Sequence, residues 1–107
     1  MRVISVCVDL MDRSRIDAGH TDVQFVRTVL DAIRRVGLGS VDRVLVDLSR
    51  SSDSEQLRAL VATGVHVVAY GPHVDDSLFA TARGAGCHEV LPRSRFFHQI
   101  ASLNGKD

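Results

Sequence analysis

The chain has 107 residues, 45% hydrophobic and 24% charged, and its thirteen basic side chains balance thirteen acidic ones. That is the size and composition of one soluble globular domain, read here as residues 1–107. Zero net charge removes the bulk attraction that nucleic acid or an anionic membrane requires, and no apolar run approaches a membrane span.

In chain order, Arg2 to Val8 lacks polar alternation and reads as a strand buried on both faces. Met11 to Ala18 follows as a short helix that Gly19 stops. Asp22 to Val26 alternates, with Val23 and Phe25 on one side, which suits an edge strand. Thr28 caps a helix whose stripe is Val29, Leu30, Ile33 and Val36, ending at Gly37. Asp42 to Leu48 is a third strand. Ser52 and Glu55 have capping-box spacing ahead of a helix that buries Leu57, Leu60 and Val61 and stops at Gly64. Val65 to Tyr70 is a fourth strand and Val74 to Ala85 a fourth helix, with Leu78, Phe79 and Ala82 inward. Glu89 to Leu91 is a short fifth strand. Ser94 opens the last helix, with Phe96, Ile100 and Leu103 on one face, and residues 104–107 are expected to fray.

Five strands alternating with five helices imply a parallel sheet covered on both faces, an α/β sandwich of three layers with strand order 2-1-3-4-5. In that order the first and third strands are neighbours, so Asp9 and Asp47 share one rim. Open sheets of this kind place their sites there. Cys7 and Cys87 form no Cys-x-x-Cys pair and read as buried reduced thiols, as in a cytoplasmic protein. The apolar run before Asp9 is too short for a signal peptide. The five histidines are scattered and show no metal-binding spacing. Ser49 to Ser54 reads as a polar solvated loop, and Gly84-Ala85-Gly86 stands in the wrong order for a dinucleotide motif.

Val8-Asp9-Leu10, Val44-Leu45-Val46-Asp47 and Ala85-Gly86-Cys87-His88-Glu89-Val90-Leu91 give the chain a resemblance along nearly its whole length. The family it resembles is the receiver domain of two-component response regulators, whose fold is flavodoxin-like. The resemblance implies a bacterial, cytoplasmic signalling domain. It places Asp47 at the phosphoacceptor position and Asp9 at one of two metal-binding acids, with Val8 in place of the other. It puts Gly71 where a hydroxyl residue belongs, Arg93 where a lysine belongs, and Ser94 in place of the usual proline. Phosphoryl transfer depends on positioning and charge neutralisation, so each departure weakens it.

An arginine presents a planar fork, and Arg93 is expected to pair with Asp47. Asp9, Asp12 and Asp47 are the candidate ligands for weak Mg2+ binding, and no other cofactor is implied. Tyr70 reads as core. Phe96 and Phe97 are adjacent on one helix, so one can face the sheet and the other should be partly exposed or meet a partner. Phe97, with Arg95, is the candidate interface on the face of helix four, strand five and helix five. The resulting expectation is a stand-alone degenerate receiver that catalyses nothing and binds protein partners, including a second copy through that face. The alternatives are an active receiver phosphorylated on Asp47 by a histidine kinase with Mg2+, and a binder of a small ligand in the rim crevice.

Overall fold

Strands that lack polar alternation have to be covered on both sides, and the helices of this chain divide themselves to do so. A computed structural model describes residues 2–19, 22–72 and 76–105, with side chains described as far as Ile100. The elements in order are β1 (Val3–Val6), α1 (Leu10–Ala18), β2 (Val23–Val26), α2 (Val29–Gly37), β3 (Arg43–Asp47), α3 (Ser54–Ala62), β4 (His66–Gly71), α4 (Asp76–Gly84), β5 (Glu89–Pro92) and α5 (Arg93–Gly105). All strand pairs are parallel, in the order β2-β1-β3-β4-β5. This is the expected sheet, with element ends moved by a residue or two. The start expected for α4, at Val74, lies outside the described residues, and α5 continues through Asn104 and Gly105 of the tail expected to fray.

Alternate residues of the central strands supply two cores. Ile4, Val6, Val44, Val46, Val67 and Ala69 face α2, α3 and α4. Val3, Cys7, Leu45, Val68 and Tyr70 face α1 and α5, where Ile16, Phe96, Phe97 and Ile100 meet them. β2 is the expected edge strand, with Val23 and Phe25 against this second core.

Caps set where the helices begin. Thr28 accepts a hydrogen bond from the Asp31 amide, as anticipated. The expected capping box at Ser52 and Glu55 is not used. Asp53 takes the role one residue later, accepting from the Gln56 amide at 3.0 Å, since an aspartate carboxylate caps a helix as well as a serine hydroxyl does. The stripe of α2 also differs from expectation. Ala32 is buried, whereas Leu30 is 48% exposed, since it lies a full 100° step from Val29.

Gly19 ends α1 in a right-handed conformation, with φ of −92°, so chain freedom is not what its position requires. A side chain there would run into Ile100 of α5, so the glycine sets how closely the two helices approach. Gly84 faces open space. Gly19→Ala should therefore cost about 1–3 kcal/mol by overpacking, while Gly84→Ala should be neutral or stabilise by about 0.4–1 kcal/mol. Urea unfolding of the two variants checks this, and equal effects would contradict the packing argument.

Candidate functional site

Asp47 is the last residue of β3 and is only 3% exposed. It shares strand parity with Leu45, so its side chain points to the α1 and α5 side. Its Oδ1 accepts the Ser49 amide at 3.1 Å and the Ser49 hydroxyl at 2.6 Å. The turn that follows β3 therefore already occupies one carboxylate oxygen.

The neighbours of Asp47 follow from strand register. Val6 pairs with Val46, which brings Cys7, the next residue along, beside Asp47. On the other flank, Asp47 pairs with Tyr70. Two expected assignments change as a result. Asp9 is not beside Asp47: it is exposed and caps α1, accepting the amides of Met11 at 2.9 Å and Asp12 at 3.0 Å. Gly71 is one residue past the relevant position and faces the opposite side of the sheet. A Cβ on it would meet Leu48 and Phe79 of the other core. The β4 residue paired with Asp47 is Tyr70, and the hydroxyl bonded to Asp47 is that of Ser49.

The expected Arg93–Asp47 pair is also replaced. Arg93 holds Asp12 in a two-point fork, with both N–H···O distances 2.7 Å. Asp12 lies in the first turn of α1, one turn before Ile16, and both face inward. That puts its carboxylate between Arg93 and the strand ends. The side chain of Asp12 is 6% exposed and that of Arg93 is 36% exposed. The fork with Asp12 holds the Arg93 guanidinium well above its ordinary pKa, with smaller help from the charge of Asp47.

Aromatic rings floor the site. Tyr70 stacks on Phe96 with centroids 4.0 Å apart and meets Phe97 edge-on at 5.7 Å. Arg93 lies 5.1 Å and Arg15 4.0 Å from the Phe97 centroid. Phe97 is therefore core, at 3% exposure, and not the exposed interface anchor expected of it. α5 lies in the groove between the sheet and α1, so one ring packs on β4 while the other lies beneath the α1 arginine. Arg95 is exposed.

Cys7, Asp12 and Asp47 each bring one potential ligand atom within 4.8 Å of the others. Asp9, a predicted ligand, is not among them. Magnesium takes oxygen ligands and fits this set poorly: one position is a thiol, and both oxygens of Asp12 already lie in the fork of a permanent cation. Burial raises the pKa of the Cys7 thiol. It raises that of Tyr70 far more, with Cys7 and Asp47 adding to the effect. The Tyr70 hydroxyl is buried without a hydrogen bond of ordinary geometry, with the Cys7 thiol close by.

Sequence reading missed Cys7 and Tyr70. Setting the last residues of the first strand against Val44-Leu45-Val46 in register, instead of seeking the nearest acid, would have found Cys7.

No family model matches the chain, and no curated protein is similar to it at a significant level. Its fold is that of response-regulator receiver domains. A response regulator from Hahella chejuensis is 20% identical, with a TM-score of 0.79 over 96% of this chain and 91% of that one. The beryllofluoride-activated NtrC4 receiver domain, a dimer, is 15% identical, with a TM-score of 0.73 over 95% and 94%. The receiver domain of Saccharomyces cerevisiae Ssk1, crystallised with the histidine phosphotransfer protein Ypd1, is 13% identical, with a TM-score of 0.69 over 97% and 88%. Among the described residues, no helix is long and apolar enough to cross a membrane.

Two measurements follow from the geometry. Asp12→Asn removes the charge-assisted half of the fork and should cost about 1–3 kcal/mol. That is less than for a fully buried pair, because Arg93 is 36% exposed. A urea midpoint unchanged from wild type would show the fork to be idle. The second concerns alkaline pH. The unfolded chain releases the Cys7 and Tyr70 protons at ordinary values, about 8.5 and about 10, while the fold retains them to higher pH. Their contribution to stability is complete below about pH 8.5 and is lost as pH rises. The urea midpoint should fall between neutrality and strongly alkaline pH, and Cys7→Ala with Tyr70→Phe should flatten that fall.

Proposed function

We propose that this chain is a receiver-type domain of signalling or regulation that no longer switches by phosphorylation and presents one fixed surface to a protein partner. The Asp12–Arg93 fork carries this reading. It places a permanent cation, tied down at two points, at the rim beside Asp47. A lysine free to swing toward an incoming phosphoryl group is what a switch needs, and a bidentate guanidinium is poorly suited to that movement. The thiol at Cys7 and the ring of Tyr70 support the same reading, since they flank Asp47 with groups that neither bind magnesium well nor extend a small hydroxyl.

Catalysis is no part of this function. A thiol whose ionisation is disfavoured by burial and by Asp12 and Asp47 is a weak nucleophile, and Asp12 is already taken up by Arg93. The function is carried by protein contact, in a cytoplasm where both cysteines stay free. Partners of this kind appear among the similar folds, one held by a phosphotransfer protein and one a dimer. A homodimer through α4, β5 and α5 would rely on exposed residues such as Arg95, because Phe97 is enclosed.

Amide NMR during titration with magnesium and beryllium fluoride tests the proposal. The expected outcome is no clustered shift at Cys7, Asp47, Ser49 or Tyr70. Saturable shifts there would restore the phosphorylated receiver as the better reading.

A further inference from the structure

Beside the ion pair, along the seam where α1 meets α5, lies a groove of about 400 Å3 lined by Arg15, Pro72, Arg93, Ser94 and Phe97. The function proposed above makes no use of it. Its volume is that of an ordinary small-molecule pocket. Two guanidiniums converge on it, drawn together by the Phe97 ring that both overlie. Among the described residues, no carboxylate lines it. Asp12 offsets the charge of Arg93, but among the described residues Arg15 takes part in no ion pair.

The end of α5 adds to the same charge. α1, α2, α3 and α4 each place an acidic residue in the first turn, against the positive end of the helix dipole, and α5 places none. Its first turn carries Arg93 and Arg95 instead. The residue before it is Pro92, which has no side-chain oxygen to cap the first amides, unlike Asp9, Thr28 and Asp53. The fold thus collects two arginines, a serine hydroxyl and a helix N-terminus around one open groove, and among the described residues only Arg93 has an answering carboxylate, that of Asp12. Pro72 and the edge of Phe97 supply an apolar wall, so a bare inorganic ion would leave much of the space unfilled.

We propose that this groove binds a phosphate ester of small-molecule size. The phosphate would lie at the start of α5 between Arg93, Ser94 and Arg15. The organic part would lie against Pro72 and the outer plane of the Arg15 guanidinium, whose inner plane rests on Phe97. Arg93 keeps its fork with Asp12 and presents its remaining surface to the ligand. Nothing in this requires Asp47 to be inert, so the site stands or falls separately from the function proposed above.

The test is amide NMR and calorimetry on the full chain with four probes: adenosine monophosphate, ribose 5-phosphate, inorganic phosphate and adenosine. The expected result is saturable shifts at Arg15, Ser94 and Phe97 with both esters, each binding more tightly than inorganic phosphate, and no binding of adenosine. Arg15→Ala should lose about tenfold or more in affinity, the ordinary cost of one charged hydrogen bond. Arg15 is exposed, so the unfolding midpoint should fall only by the little that its stacking on Phe97 contributes. Ser94→Ala, also exposed, is the second variant and should weaken the esters without affecting the fold. Several results would overturn the proposal: no shift at millimolar ester, affinity unchanged in both variants, inorganic phosphate binding as tightly as the esters, or adenosine binding as well as its phosphate. Shifts centred on the other arginine-lined groove, at Arg27, Arg34 and Arg35, would do so as well.

Discussion

The parallel register of β1 against β3 is the constraint from which the rim of this domain follows. Both strands are covered on two faces, so a slip of one residue would turn Ile4 and Val6 out of one core and Val3 and Cys7 out of the other. The register is therefore held by the hydrophobic effect along the whole strand. Its result is local: Cys7 stands on one side of Asp47, and pairing with β4 puts Tyr70 on the other. The chemistry available to Asp47 is set by packing that extends well below it.

The ion pair between α1 and α5 is the second determinant. A carboxylate that is 6% exposed needs its charge answered, and Arg93 answers it with two short hydrogen bonds. The pair joins two helices that already approach closely at Gly19 and Ile100. It also fixes the guanidinium over Phe97, which in turn lies edge-on to Tyr70 and Phe96. Charge, ring stacking and helix contact thus reinforce one arrangement. Such mutual support favours a single rigid state over a pair of states close in energy.

A fold of this kind hosts many functions, so the argument about role rests on the site and not on the architecture. The rim has an acid at the end of β3, and its surroundings are a thiol, a serine hydroxyl, a buried phenol and a fixed cation. Those groups are the support for the constant surface proposed above. On the flank of the same ion pair, the positive charge of Arg15 and the start of α5 has no answering acid among the described residues that line the groove. The fixed rim proposed for Asp47 and the positive charge a few residues away are compatible, because they involve different faces of Arg93.

The chain by itself determined the alternation of strands and helices, the order of the sheet, the edge position of β2 and the placement of Asp47 at a strand end. Each of these depends on local periodicity or on connection length, which a sequence displays directly. Thr28 as a cap and Gly64 as a stop are legible for the same reason. Only the tertiary structure decided that Asp12, and not Asp47, holds Arg93, since the two partners are 81 residues apart and several acids reach the same rim. It also decided that Asp9 caps a helix, that Tyr70 displaces Gly71 beside Asp47, and that both Phe96 and Phe97 are enclosed. Strand parity and the groove into which a helix settles select among side chains that are equivalent in the sequence. That selection is made by packing across elements, which no stretch of sequence contains on its own.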